Sequence, residues 1–308
     1  MGILLVVVVA AAVLASVLLA ARKQRLRAAD RQVAAHLPLG SGGLIAGAQP
    51  WSHDAHARAA LLIHGFGDTP QSLMPLAERL AEAGWSVSVP LLPGHGRSLS
   101  EFRRSNATQW ATAVERTFDD LATRHQTVVV CGQSMGAALA ISLARRKHVP
   151  ALVLLAPYVA FPRKARLVAL AWPLVEMLVP VVKIRDPLSI RDPHAAERSL
   201  AYGYVTPRLL AELWRVVRAA RRDLPHVRSG ALIVHSREDN RMPAHEVAAL
   251  AARLTNPVKA VHWVSGCGHV IAVDYCKETV ATLVVEWLER CTAPQGATAS
   301  LGYKLGTS

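Results

Sequence analysis

Residues 128–140 read VVVCGQSMGAALA. A β-branched run, a glycine, a serine between Gln133 and Met135, a second glycine and a string of small helix formers describe a buried strand that turns sharply into a helix. Gly132-Gln133-Ser134-Met135-Gly136 fits the pattern G-x-S-x-G. Glycines two before and two after the serine suit a strained strand-to-helix turn, because side chains there would collide with the neighbouring strand and helix. The Ser134 hydroxyl is then pushed out at the carboxyl end of a sheet, over a helix N-terminus whose dipole favours developing negative charge. Glycine and serine are also ordinary turn formers, so the meaning of the pentapeptide depends on its flanks and on partners elsewhere in the chain.

The flanks repeat one theme. Apolar strands AALLIH (ending at His64), WSVSVP (85–90), TVVVCG (from Thr127), ALVLLA (151–156), ALIVH (231–235) and VKAVHWV (258–264) alternate with helical patterns. The helices are predicted near 72–83, around Trp110, Val114, Phe118 and Leu121, over 137–145, near 244–254 and near 278–291. Such alternation implies an α/β fold with a mostly parallel sheet covered on both faces. Between the strands ending near Ala156 and beginning at Ala231 lie about seventy residues without a strand signal, too long for a loop and therefore an inserted helical subdomain. Within it Thr206-Pro207 marks a helix start, and Leu209, Leu210, Leu213, Trp214 and Val217 form an apolar stripe. The stretch 165–182 is very apolar, but Pro173, Glu176 and Pro180 argue against a membrane span there.

The chain has 308 residues, enough to bury a large core. It divides into an N-terminal transmembrane anchor (1–21), a polar Gly-rich connector (22–57), a core (58–160 and 229–291), a helical cap (161–228) and a tail low in large aliphatics, read as disordered (292–308). Ile3 to Ala21 carries no charge, and at about 1.5 Å per residue it spans a hydrocarbon layer about 30 Å thick. Arg22, Lys23, Arg25 and Arg27 follow it directly. A cleavable signal peptide wants a basic stretch before a shorter apolar core, so a retained single-pass anchor in the cell membrane is expected, with the rest of the chain on the cytoplasmic side. The four cysteines, Cys131, Cys267, Cys276 and Cys291, lack C-x-x-C metal spacing and fit a reduced compartment, with a Cys276–Cys291 bridge left open.

The formal net charge of +13 raises nucleic acid as a partner, but no basic stretch interleaved with aromatics and no nucleic-acid module is present. Residues 163–228 hold thirteen Lys/Arg against six Asp/Glu, a face suited either to anionic lipid head groups or simply to solvent. No signal speaks to oligomeric state.

A serine hydroxyl needs a base, and the base needs an acid to orient it. ALIVH runs into SREDNRMP, where Asp239 lies in the turn before the next helix; VKAVHWV runs into SGCGHVI, where His269 sits in a Gly-rich loop. Glu238 and Asp274 are rival acids, with loop capping and ion pairing the plainer roles for both. Two backbone donors for an oxyanion are expected from the amide of Met135, directly after the serine, and of Phe66 in the loop HGFGDTP (64–70). Cys267, two residues before His269, reads as a tuning feature or as a small packed residue.

HGFGDTP, LLPGHGRS, CGQSMGAALA, SREDNRMP and SGCGHVI, in this order, resemble the α/β-hydrolase family of bacterial carboxylesterases and monoacylglycerol lipases over about residues 44–290. The resemblance implies Ser134, Asp239 and His269 as a catalytic triad, Phe66 and Met135 as oxyanion-hole donors, a helical cap between the sixth and seventh strands, and His95 of PGHG in a structural loop. It implies a lipid-derived or other small ester as substrate, with no metal and no organic cofactor, and the cap's Leu and Val stripe is then expected to take the acyl chain. Gly67 and Asp68 stand where such esterases often have Thr and Gly, and Met242 stands where a valine is usual. A thioesterase or acyltransferase would use the same residues. A non-catalytic, membrane-bound lipid-binding protein would have no need of them together.

Overall fold

The computed structural model describes residues 2–55, 57–184 and 189–293, so all but the first two residues of the predicted tail lie outside it. In chain order the first elements are helix α1 (Gly2–His36), strands β1 (Trp51–His53) and β2 (Arg58–Ile63), helix α2 (Met74–Glu82) and strand β3 (Ser86–Val89). Helices α3 (Leu99–Phe102) and α4 (Ala107–Arg124), strand β4 (Thr127–Gln133), helix α5 (Met135–Arg146) and strand β5 (Ala151–Leu155) follow. Next come helices α6 (Arg163–Leu170) and α7 (Trp172–Leu178), strand β6 (Val182–Lys183), helix α8 (Pro193–Glu197), strand β7 (Tyr204–Val205) and helix α9 (Pro207–Asp223). Strand β8 (Gly230–Ser236), helix α10 (Ala244–Arg253), strand β9 (Lys259–Val264) and helix α11 (Lys277–Thr292) complete the described chain.

The apolar runs become strands because a strand covered on both faces has no solvent side to keep polar. With the edge strand β1 the six runs form one sheet in the order β1-β3-β2-β4-β5-β8-β9, parallel except for the β1–β3 pair. Side chains alternate across it: Val128 and Val130 of β4 enter a core shared with α4, α5, α9 and α10, while Val129 and Cys131 enter one shared with α2 and α11. The carboxyl ends of β4, β8 and β9 lie on one edge, and the loops that leave them carry Ser134, Asp239 and His269. This is the α/β-hydrolase architecture. The helical insertion follows the fifth strand of the sheet rather than the sixth, because this sheet has only seven.

Two expectations change. Helix α1 continues through residue 36 instead of giving way to a connector at residue 22, since the stretch RKQRLRAADRQVAA is built of good helix formers. Its last turns pack on the domain through Ala29 and Val33, and Asp30 pairs with Arg103 at 3.1 Å. The second concerns α9, which starts at Pro207 with the Thr206 hydroxyl accepting from the Leu209 amide at 3.2 Å. Of its stripe, Leu210 and Trp214 keep partial exposure, but Leu209 and Val217 are fully buried in the same core as α5. They form core, not a pocket for an acyl chain.

Leu209→Ala is therefore expected to lower unfolding free energy by about 2–5 kcal/mol in urea titrations, the usual cost of emptying a buried leucine site. Turnover of a soluble ester per folded molecule should be unchanged. A fall in turnover without a loss of stability would return the stripe to the substrate side.

Candidate active site

Ser134 occupies the single residue between β4 and α5, with φ 56° and ψ −117°. A non-glycine residue holds such a conformation only where its surroundings over-determine it. Here they do. The Ser134 amide donates to the Leu155 carbonyl at 2.9 Å, and the Ser134 carbonyl accepts from the amides of Ala137 (3.1 Å) and Tyr158 (3.2 Å). A Cβ on Gly136 would stand 2.0 Å from the Ile63 carbonyl oxygen, and one on Gly132 would stand 2.3 Å from the Gly136 oxygen. Both positions must be glycine for α5 to start so close to β2 and β4.

The turn aims the Ser134 hydroxyl at His269, whose Nε2 lies 2.8 Å from Oγ. On the other side of the ring, Nδ1 lies 2.7 Å from Oδ2 of Asp239. The second oxygen of Asp239 accepts from the amides of Arg241 (2.7 Å) and Met242 (2.9 Å), so the turn before α10 fixes the carboxylate while leaving Oδ2 for the histidine. Burial opposes ionisation of Asp239, but the His269 hydrogen bond and charge and the Arg241 amide outweigh it and hold the carboxyl below its ordinary pKa. An ionised carboxylate only accepts, so Nδ1 carries the proton and Nε2 is left to accept from the hydroxyl. The structure thus brings Ser134, Asp239 and His269 together.

Both expected oxyanion donors belong to elements that meet at Ser134. Met135 is the first residue of α5, where amides have no acceptor within the helix. The loop of Phe66 passes directly over the serine: a Cβ on Gly65 would touch Ser134 Cβ at 3.4 Å. Beneath that loop, His64 Nδ1 donates to the Gly65 carbonyl at 2.9 Å and Nε2 accepts from the Leu92 amide at 3.1 Å, the pattern of a neutral imidazole. Burial lowers its pKa to about 4. His95 packs on this ring at 5.1 Å between centroids and bonds the Pro93 carbonyl at 3.2 Å, away from the serine.

The rival acids are occupied elsewhere. Glu238 accepts from Ser236 Oγ (3.2 Å) and the Gly266 amide (3.1 Å). Asp274 is fully buried and accepts from four amides: Gly268 (2.7 Å), Arg191 (2.8 Å), Tyr275 (2.8 Å) and Asp192 (2.9 Å). It ties the His269 loop to the inserted segment, with Val270 N–H donating to the Ser189 carbonyl at 2.9 Å beside it. Cys267 is disulfide-bonded to Cys276, with 5.9 Å between Cα atoms, so the bridge left open between Cys276 and Cys291 does not form and Cys291 is a free thiol. The two bonded cysteines flank the loop that holds His269, whereas Cys291 lies at the far end of α11.

Sequence reasoning missed other supports. Gln133 Oε1 accepts from the Ala272 amide at 3.2 Å and so joins the serine strand to the histidine loop. His235, fully buried at the end of β8, donates from Nε2 to the Met242 carbonyl at 2.9 Å and turns Nδ1 toward Asp239 at 3.6 Å. Its position four residues before Asp239, at the strand end, was the available signal. Tyr158 faces the His269 ring edge-on at 6.4 Å, and Phe161 packs on Trp214 at 5.2 Å, giving an aromatic wall beside the serine. Among the described residues no group of three or more His, Cys, Asp or Glu is placed to hold a metal ion.

The family model described as "Serine aminopeptidase, S33" (Hydrolase_4) matches residues 54–275. The chain belongs to this family. It is an α/β-hydrolase of the carboxylesterase and monoacylglycerol-lipase type, a carboxylic ester hydrolase. A thermostable monoacylglycerol lipase from Bacillus sp. (strain H-257) is 28% identical over 80% of this chain and 96% of its own length. Among solved structures, one of the metagenome-derived lipolytic enzymes LipS and LipT superposes with a TM-score of 0.71 at 24% identity, over 80% of this chain and 99% of that one. The structure of a membrane phospholipase A, a bacterial virulence factor, superposes with a TM-score of 0.54 at 21% identity, covering 95% of this chain and 98% of that one.

Asp68, in the serine-facing loop, is buried, and burial raises its pKa to about 6 despite bonds from Ser72 and the Thr69 amide. A folded-state pKa above the unfolded value of 3.8 means the native protein holds this proton more tightly. The associated stability is present below about pH 4 and is lost as pH rises through 6. Asp68→Asn should therefore raise unfolding free energy by about 1–3 kcal/mol at pH 8, a gain that shrinks toward pH 4. A pH-independent difference in urea midpoints would rule out this ionisation as the cause.

Proposed function

We propose that the chain is a membrane-anchored serine hydrolase that cleaves lipid-derived carboxylic esters, such as monoacylglycerols, through an acyl-enzyme on Ser134. The observation that carries this reading is the relay from Ser134 Oγ through the His269 ring to Asp239, with heavy-atom separations of 2.8 and 2.7 Å. His269 Nε2 takes the hydroxyl proton as Oγ attacks the ester carbonyl, and Asp239 stabilises the imidazolium that results. The carbonyl oxygen gathers charge where the amides of Phe66 and Met135 receive it. His269 then returns the proton to the leaving alcohol, and the Ser134 ester remains. Water, deprotonated by the same Nε2, releases the acid and restores the hydroxyl.

A lipid-derived ester fits the aromatic wall of Tyr158, Phe161 and Trp214, and fits an N-terminal helix long and apolar enough to cross a membrane. The superposition on the membrane phospholipase A covers 95% of this chain.

Ser134→Ala is expected to reduce kcat on medium-chain monoacylglycerols and nitrophenyl esters by roughly 10⁴-fold or more, with circular dichroism unchanged. Labelling by a fluorophosphonate should vanish with it. Retained turnover would remove Ser134 from the chemistry, and faster turnover of matched thioesters by the native chain would replace the ester reading.

For the side of the membrane, Arg22, Lys23, Arg25 and Arg27 favour a cytoplasmic domain. The Cys267–Cys276 bridge is the specific observation that favours the opposite face, since disulfides persist in oxidising compartments. Alkaline phosphatase fused after Ser308 decides between them: an inactive fusion is the outcome for a cytoplasmic domain, an active one for an exported domain.

A further inference from the structure

Asp239 has a second imidazole beside it. His235, the last residue but one of β8, is fully buried, and its Nε2 lies 2.9 Å from the Met242 carbonyl oxygen. A carbonyl only accepts, so Nε2 carries the hydrogen and the neutral ring has a bare Nδ1. That nitrogen faces Oδ2 of Asp239 from 3.6 Å and has no hydrogen-bond partner. Oδ2 is also the oxygen that accepts from His269 Nδ1 at 2.7 Å. One carboxylate oxygen therefore lies between two imidazole nitrogens, one with a hydrogen and one without.

A buried nitrogen without a partner has lost its hydration and gained nothing for it, and a lone pair turned toward a carboxylate is repelled by it. The arrangement gains a reason if that nitrogen is a proton site. Met242 fixes which nitrogen it is, because its amide donates to Oδ1 of Asp239 at 2.9 Å while its carbonyl holds Nε2. A proton that enters the ring goes to Nδ1 and makes it a donor to Oδ2. The groups that bear on its charge are Asp239 and His269. From β9 the Trp263 ring meets it edge-on at 5.6 Å, with the Arg237 guanidinium 5.8 Å from that indole, and Arg241 of the same turn sends Nε to Ser189 Oγ at 3.1 Å. Burial opposes a charge on His235 more strongly than Asp239 and the Met242 carbonyl favour it, so its pKa is lowered and the ring is neutral at neutral pH.

We propose that His235 is a positioning residue with two states: neutral, it leaves Oδ2 to His269 alone; protonated, it donates to the same oxygen and loosens the hold of Asp239 on His269. In the first state the negative end of the imidazole dipole faces the pair and favours the positive charge that His269 takes up as Ser134 attacks. In the second a cation stands beside that developing charge, and two imidazoliums share one carboxylate. Acid therefore switches the site off with two protons rather than one, the second acting through Asp239 and not at the serine. This inference rests on the Ser134–His269–Asp239 relay of the proposed function.

The test follows kcat/KM of the full chain in detergent micelles on a soluble nitrophenyl ester from about pH 8 to about pH 4, across the ordinary histidine range. Each sample is returned to the starting pH, so that only reversible loss is counted. The native acid limb is expected to steepen to a two-proton dependence and that of His235→Gln to stay at one proton, since the glutamine amide keeps a donor for the Met242 carbonyl but does not titrate. At the alkaline end the variant's kcat should fall by about tenfold or less. In parallel, imidazole nitrogen chemical shifts read by NMR should show His235 Nδ1 passing from bare to protonated within the acid limb. In His269→Gln the same change should come at higher pH, because Asp239 has lost its other donor and His235 its competing cation. A histidine that only packs would be indifferent to position 269. A one-proton limb in the native chain, a two-proton limb kept by His235→Gln, or an Nδ1 that stays bare until the chain unfolds overturns the inference and leaves the relay standing. The relay itself fails if Ser134→Ala keeps its turnover, whereas the NMR titration needs no turnover and reads His235 separately.

Discussion

The approach of α5 to β2 constrains everything else in this molecule. The Gly136 Cα sits so near the Ile63 carbonyl that even a methyl group would meet it at 2.0 Å, and Gly132 is pressed as closely from the other side. A helix that starts this close to its own sheet leaves one residue for the turn, and that residue is forced to φ 56°. The conformation is unfavourable for serine by an amount on the order of 1–3 kcal/mol. It is offset by three backbone hydrogen bonds to β5, α5 and the loop after β5, which together hold Ser134 more rigidly than an ordinary turn residue. Reactivity at this position follows from packing first: the geometry that makes the backbone strained is the same geometry that lifts Oγ clear of the sheet.

A fixed serine is of use only if the histidine is fixed to match, and His269 lies in a loop rather than on a strand. Three separate constraints hold that loop. The Cys267–Cys276 bridge closes its base, Gln133 reaches from the residue before the serine to the Ala272 amide, and Asp274 gathers four amides from both the loop and the inserted segment. A buried carboxylate without a cation is costly unless its lone pairs are filled, and four N–H donors fill them. Because two of those donors, Arg191 and Asp192, belong to the insertion, the seating of the cap and the placement of the base are one problem rather than two.

The fold was legible in the sequence because its strands are apolar on both faces and cannot be mistaken for amphipathic helices, and because G-x-S-x-G needs its glycines for steric reasons that operate locally. Ser134, Asp239 and His269 were legible for a related reason, since each follows a readable strand within a few residues. What escaped depends on contacts between distant parts of the chain. Nothing local distinguishes Asp274 as a loop anchor from Asp274 as a rival acid; the difference lies in amides more than eighty residues away. The stripe on α9 had the correct helical period for a pocket lining, but period reports only that a face is buried, not whether protein or substrate buries it. The cysteine pairing was hidden because it depends on the curl of the His269 loop, and the reach of α1 because a polar helix lacks an apolar rhythm until its Ala29 and Val33 find the domain.

The same distinction divides the basic charge of residues 163–228, which composition alone treats as one patch. On α9 most of the arginines have partners: Arg215 pairs with Glu212 at 2.8 Å, Arg222 with Asp223 at 3.0 Å, and Arg221 donates to the Val159 carbonyl at 3.1 Å. The first two pairs lie within α9 and Arg221 ties it to the chain after β5, and cations paired in this way add little field at long range. Arg163, Lys164 and Arg166 stand exposed on α6, beside leucines that are also exposed. Charge next to bare apolar surface is unfavourable in water, where nothing rewards the leucines, and favourable at an interface, where each meets its own phase. Arg22 and Arg25 join the two regions, since they follow the uncharged run of α1 and at the same time hold α7. Helix α1 and the cap are therefore coupled through one ion pair and one bond to a backbone carbonyl.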